Sequence, residues 1–164
     1  MRALANHVTR GNLNYIALLQ GGTAADFLRM RDADAMGSDP VDAFIRSAGS
    51  CAAAFAEPGA LQRHLDYPLG RASGQQLLAV RTVDSLVHTW DLARAMNADE
   101  ILDHTLVDWA GVNLRDIYWG LRETPTAADT THRFFAAAAS APGDASTQDR
   151  LLIRMGRIPH APAY

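Results

Sequence analysis

An all-α fold is what this sequence predicts, on three observations. Apolar residues recur at helical spacing in four long segments, and cap and breaker residues bound those segments. No internal repeat, low-complexity linker or shift of composition divides residues 1–164, so a single helical domain is the economical arrangement. At 164 residues the chain can bury roughly two thirds of the surface its unfolded form exposes, so neither a metal nor a disulfide is needed merely to fold it.

The first segment, Arg2 to Gln20, places Leu4, Val8, Tyr15, Ile16 and Leu19 near helical spacing and stops at Gly21-Gly22, a helix C-cap signal. Thr23 to Ser38 is mixed and reads as a short helix plus loop. Ser38-Asp39-Pro40 then supplies a cap followed by proline at the first helical position. Val41, Phe44, Ile45, Ala48, Ala52 and Phe55 follow as the expected apolar face, and Pro58-Gly59 ends the helix. Residues 61–72, with Tyr67-Pro68-Leu69-Gly70, read as an extended connection or a short strand. Ser73-Gly74-Gln75-Gln76 has the capping-box pattern and opens a helix to about Met96 or Asn97. A further helix is expected from Asp99 or Glu100 to Trp119, with Ile101, Leu102, Leu106, Trp109 and Ile117 on its apolar side. The stretch Arg122 to Gly143 is turn-rich, and Ser146-Thr147-Gln148-Asp149 opens a last short helix through Met155, ended by Gly156 and Pro159.

Composition excludes several classes of function. Hydrophobic residues make up 48% and charged residues 20%, far from the signature of disorder. Net charge is −3, all 15 basic residues are arginine, and no basic stripe is present, which argues against nucleic acid as a partner. A lysine-free sequence rich in Ala, Arg and Asp suggests a GC-rich bacterial genome. Phe134 to Ala139 is far too short an apolar run to span a bilayer, and polar residues from Asn6 to Asn14 interrupt any signal-peptide layout. The single cysteine, Cys51, lies beside an apolar helix face and reads as a buried, inert thiol suited to a reducing compartment, so the cytoplasm is the expected location.

Chemistry concentrates on the segment from Ser73 to Asn97. Arg81, Asp84, His88 and Asp91 are spaced i, i+3, i+7, i+10, and Asp84 and His88 stand about 40° apart around a helix axis and one turn apart along it. Two metal ligands on one helix need this step; an exposed i, i+4 pair shows it equally, with Thr82, Ser85 and Thr89 on the adjoining face. A third ligand would have to come from another segment, and His7 in the first helix is a candidate. His64, His104, His132 and His160 have no partner at ligand spacing and read as surface or locally satisfied residues. Asp91 either accepts a hydrogen bond from the distal ring nitrogen of His88, fixing its tautomer, or pairs with Arg94 or Arg115. Trp90, Trp109 and Trp119 read as core residues.

Three strings occur in one order: Arg2-Ala3-Leu4-Ala5-Asn6-His7-Val8; Val83-Asp84-Ser85-Leu86-Val87-His88-Thr89-Trp90-Asp91-Leu92-Ala93-Arg94-Ala95; and Ala145-Ser146-Thr147-Gln148-Asp149-Arg150-Leu151-Leu152 with Gly156-Arg157. Together they resemble the actinobacterial metal-binding family of the DinB/YfiT-like superfamily, related to the metal-binding domain of mycothiol-dependent maleylpyruvate isomerase. The most specific piece is D/E-x-x-x-H-x-W-D-L-A. The resemblance implies a four-helix bundle with an internal metal site at His7, Asp84 and His88. Aspartate stands here where the isomerase has glutamate, and it remains a competent oxygen ligand. Relatives carry a further helix and a C-x-G-W-[ST] stretch ahead of the segment equivalent to Arg2. This sequence shows neither: either the domain lacks its first helix or the start has been lost or reassigned, and in the first case an exposed apolar groove and a homodimer are expected.

A site of two histidines and one carboxylate leaves coordination positions open, as in catalytic rather than structural zinc. By resemblance, a low-molecular-weight thiol, mycothiol in an actinobacterium, would bind there as thiolate and attack a small electrophilic substrate. The expected activity is thus a thiol-dependent transferase or isomerase using zinc or nickel. Two alternatives are a metal-dependent hydrolase and a metal-binding or interaction module without catalysis.

Overall fold

The computed structural model describes residues 1–121 and 140–159. The expected turn-rich stretch from Arg122 lies largely outside the described residues, as do the run from Phe134 to Ala139 and residues His132 and His160. The described residues are mostly helical, with six α-helices and one two-stranded antiparallel sheet, and they fall into two compact units, Met1–Thr82 and Val83–Tyr164. None of these helices is long and apolar enough to cross a membrane.

In the first unit, α1 (Arg2–Leu19) ends where Gly21 takes a left-handed conformation and Gly22 N–H returns to the Ala17 carbonyl, closing the orphan carbonyls of the last turn. Helix α2 (Ala24–Arg29) is opened by a reciprocal Thr23/Asp26 capping box. Helix α3 (Pro40–Ala56) starts as its sequence predicts, with Asp39 accepting from Asp42 N–H and Pro40 at the first turn. It packs on α1.

The expected apolar face of α3 is corrected by the structure. Val41 is 70% exposed and Ile45 63%, and Ala48 and Ala52 are exposed too; Phe55 faces inward as expected, but its buried companions are Ser47 and Cys51. The helix is rotated toward a polar partner. Asn12 of α1, itself buried, donates to Ser47 Oγ at 3.0 Å, and Ser47 donates to the Phe44 carbonyl at 2.9 Å. A hydrogen-bonded polar contact of this kind is invisible to a hydropathy pattern.

Beyond a 3₁₀ turn at Ala60–Gln62, the connection at 61–72 is a hairpin, β1 (His64–Tyr67) against β2 (Gly70–Ser73), registered from His64 opposite Ser73 to Tyr67 opposite Gly70. Leu65 and Tyr67 face inward and His64 and Asp66 outward. Tyr67 joins Tyr15, Phe27 and Phe55 in an aromatic cluster of stacked, tilted and edge-on pairs at 5.6–6.1 Å between ring centroids. Helix α4 (Gly74–Ala95) begins directly after β2, with Ser73 Oγ accepting from Gln76 N–H. Gly74 is required there because a Cβ would collide with the Ala60 carbonyl oxygen.

In the second unit, α5 spans His104–Ile117 and α6 spans Thr147–Arg154, and the two pack together. Helix α5 starts later than expected because Asp103 caps it, accepting from Leu106 N–H at 3.0 Å. Ile101 is therefore outside the helix and exposed, Leu106 is exposed, and the buried stripe is Val107, Ala110, Leu114 and Ile117. Trp90 is core and Trp109 half-buried, but Trp119, just beyond the C-cap, is exposed with Arg115 over its ring. Helix α6 follows the sequence expectation, with Ser146 as its cap and Leu151, Leu152 and Ile153 buried.

The burial pattern predicts a contrast between two substitutions. Leu77→Ala, at a fully buried position of α4, should cost about 2–5 kcal/mol in chemical denaturation. Ile45→Ala on the exposed face of α3 should stay within about 0.5 kcal/mol of the parent. A comparable loss at Ile45 would mean that this face is buried after all.

Candidate metal centre

Helix α4 carries no glycine or proline between Gln75 and Ala95, and it ends where Asn97 adopts a positive φ and Ala98 N–H reaches back to the Ala93 carbonyl at 2.9 Å. The four ionisable residues that the spacing singled out lie along it as expected. Arg81 is only 5% exposed. Within the first unit its guanidinium donates to Asn12 Oδ1 from Nη2 at 2.6 Å and from Nε at 3.0 Å, and to the Val8 carbonyl at 3.0 Å. Near it, Cys51 is buried; desolvation pushes its thiol up, against a smaller opposing pull from Arg81, and so keeps it protonated.

Within the second unit, His88 stands between two carboxylates of its own helix. Its Nε2 lies 3.3 Å from Asp84 Oδ1 and its Nδ1 lies 2.9 Å from Asp91 Oδ2, and its side chain is 12% exposed. Burial alone would lower the imidazole pKa; hydrogen bonds and charge from Asp84 and Asp91 overcome it and raise the group from 6.5 to about 9. Asp91 moves the other way. Burial favours its neutral form, but the hydrogen bonds from His88 and Arg157 and their positive charge hold it below the ordinary carboxylate value.

The contact with His88 expected of Asp91 is present, whereas the pairing with Arg94 or Arg115 is corrected. It does bond His88, and it does hold an arginine, but that arginine is Arg157. Arg157 donates from Nη2 to Oδ2 at 2.6 Å and from Nε to Oδ1 at 3.2 Å. Arg94 is engaged by Glu100 at 3.1 Å and by the Pro159 carbonyl at 2.6 Å, over the Trp90 ring, and Arg115 lies over Trp119. Periodicity gave no signal for Arg157; the Gly156-Arg157 pair was visible only as part of the family resemblance.

His7 sits on α1 of the first unit, exposed, next to buried Val8 and Thr9. His64 and His104 are exposed, and His104 Nδ1 lies 3.1 Å from Thr105 Oγ1. Asp84 and His88 fit a cation. Their facing atoms stand 3.3 Å apart, close to the separation of about 3.3–3.4 Å that two ligands tetrahedrally bound at about 2.0–2.1 Å would have. With Nδ1 bonded to Asp91, Nε2, here paired with Asp84, is the nitrogen an ion would take in place of the proton it shares with that carboxylate.

Two uncharacterized proteins of Mycobacterium tuberculosis, Rv0738 of strain H37Rv and MT0763 of strain CDC 1551, are each 42% identical to this chain over 52 residues. The match covers 32% of this chain and 29% of each relative. No family model matches the sequence, and no solved structure matches it.

A pH dependence follows for the metal-free protein. Because the folded His88 pKa is raised, its contribution to stability is fully present below about 6.5 and is lost as pH rises through about 9. Asp91, held low, contributes above the ordinary carboxylate range and loses that contribution only in acid. NMR titration of the His88 ring should show a midpoint near 9, and thermal stability should fall between these two pH values more steeply in the parent than in His88→Gln. A midpoint at or below 6.5 would contradict the described pairing.

Proposed function

We propose that this chain is a divalent-metal-binding protein of the DinB-like helical-bundle class in which His7, Asp84 and His88 hold one ion. The observation that carries the reading is the state of His88: one ring nitrogen fixed by Asp91, the other beside the Asp84 carboxylate at ligand spacing. Support for His7 comes from the family resemblance, whose first string carries a histidine at this position. Two imidazoles and one carboxylate suit zinc or nickel and leave coordination positions open.

The proposed activity, following the family resemblance, is thiol-dependent transfer or isomerisation, with a low-molecular-weight thiol such as mycothiol and a small electrophile as partners. The chemistry such an ion supplies when bound is to favour the deprotonated form of a thiol. What the chain itself contributes is orientation: Asp91 holds the His88 ring, and Arg81 anchors α4 on the backbone beside His7.

Protein prepared without an affinity tag should carry, or take up, close to one divalent ion per chain by elemental analysis. His7→Ala and His88→Ala should each abolish tight zinc binding in competition with a chromogenic chelator, while circular dichroism stays helical. Parent protein that takes up no zinc would rule the site out; a His7→Ala variant that binds as tightly as the parent would remove His7 from it. Turnover of an electrophile that requires both the thiol and an intact site would identify the enzyme.

A further inference from the structure

The segment after α6 is fastened to the His88-bearing part of α4 from both sides. Arg157 donates two hydrogen bonds to Asp91 as a fork, and Arg94 of α4 donates to the Pro159 carbonyl at 2.6 Å. A third bond, from Arg157 Nη1 to the Met155 carbonyl at 2.8 Å, ties the guanidinium to the end of its own helix. Gly156 sets this up. It adopts φ +79°, and with Gly156 N–H on Ile153 and Arg157 N–H on Leu152 at 2.8 Å it closes α6 and turns the chain at Arg157.

The Arg157 fork is thus committed in three directions and has a fixed plane. A carboxylate gripped this way cannot rotate about its own axis without losing a charge-assisted bond. Asp91 Oδ2 is the atom shared between Arg157 at 2.6 Å and His88 Nδ1 at 2.9 Å.

We propose that Arg157 is a positioning residue for His88: acting through Asp91, it fixes the plane of the imidazole and so the direction in which Nε2 points. This rests on the reading of His88 as a metal ligand. It adds that the site depends on a residue far along the chain that touches no ligand atom.

The test measures zinc affinity by chelator competition in full-length parent, Arg157→Ala, Arg157→Lys, Asp91→Ala and the double variant Asp91→Ala/Arg157→Ala, with helicity followed in each. Arg157→Ala should weaken zinc binding about 10- to 100-fold. Arg157→Lys should recover only part of that loss, because an ammonium cannot form the fork. In the Asp91→Ala background, removing Arg157 should change nothing further. Affinity within about twofold of the parent for Arg157→Ala, or an equal loss in both backgrounds, would overturn the proposal. If Arg157→Ala does not fold, Arg157→Lys carries the same comparison in both backgrounds. Should the parent take up no zinc, the metal reading fails separately and NMR of the metal-free protein decides the positioning. A hydrogen-bonded His88 Nδ1 proton present in the parent and lost in Arg157→Ala supports it; an unchanged signal sinks it.

Discussion

Arg81, Asp84, His88 and Asp91 run along α4, a helix whose Leu77, Val80, Val83, Leu86, Val87 and Trp90 are all buried. Charge in such surroundings is costly unless it is paired and hydrogen-bonded, and the rest of the chain is organised around meeting that demand. In the first unit the demand comes from Arg81, and α1 meets it with the Val8 carbonyl and the Asn12 amide. Asn12 has two ends. Its oxygen is taken by Arg81 and its nitrogen goes to Ser47, so one buried cation on α4 also decides which face α3 turns inward.

In the second unit the same demand is met by a relay of alternating charge: Arg157, Asp91, His88 and Asp84. Such a chain is weak evidence for stability as such, since well-packed apolar residues of similar volume often serve a fold as well or better. It confers direction. Every hydrogen bond in it has a donor on one side and an acceptor on the other, which leaves His88 little freedom to turn.

Much of the local structure was legible because it is written in short-range chemistry. Asp39-Pro40, Ser73 and Ser146 each mark a helix start through a side-chain oxygen meeting a backbone N–H three residues on. The i, i+4 step of Asp84 and His88 needed only helical geometry. What was missed depends on contacts distant in sequence. Val41 and Ile45 looked like core because their spacing is right, yet Ser47 is buried because Asn12 waits for it, and nothing near Ser47 says so. Asp91 had Arg94 three residues away and still found Arg157. His7 was one candidate for a third ligand from another segment, and only the family motif singled it out, since no periodicity links the first helix to the fourth.

The close approach of Gly74 to the Ala60 carbonyl has a consequence for how this chain can vary in length. Because the first residue of α4 abuts the 3₁₀ turn, the helix has a mechanical stop at its start and cannot absorb an inserted residue by sliding backwards. One residue added between Gly74 and Arg81 would advance everything beyond it by about 1.5 Å and turn it by about 100°. Arg81 would leave Asn12 and the Val8 carbonyl. Insertions and deletions are then confined to connections such as 30–39 and 97–103, and the spacing from the hairpin to Arg81 behaves as a fixed ruler.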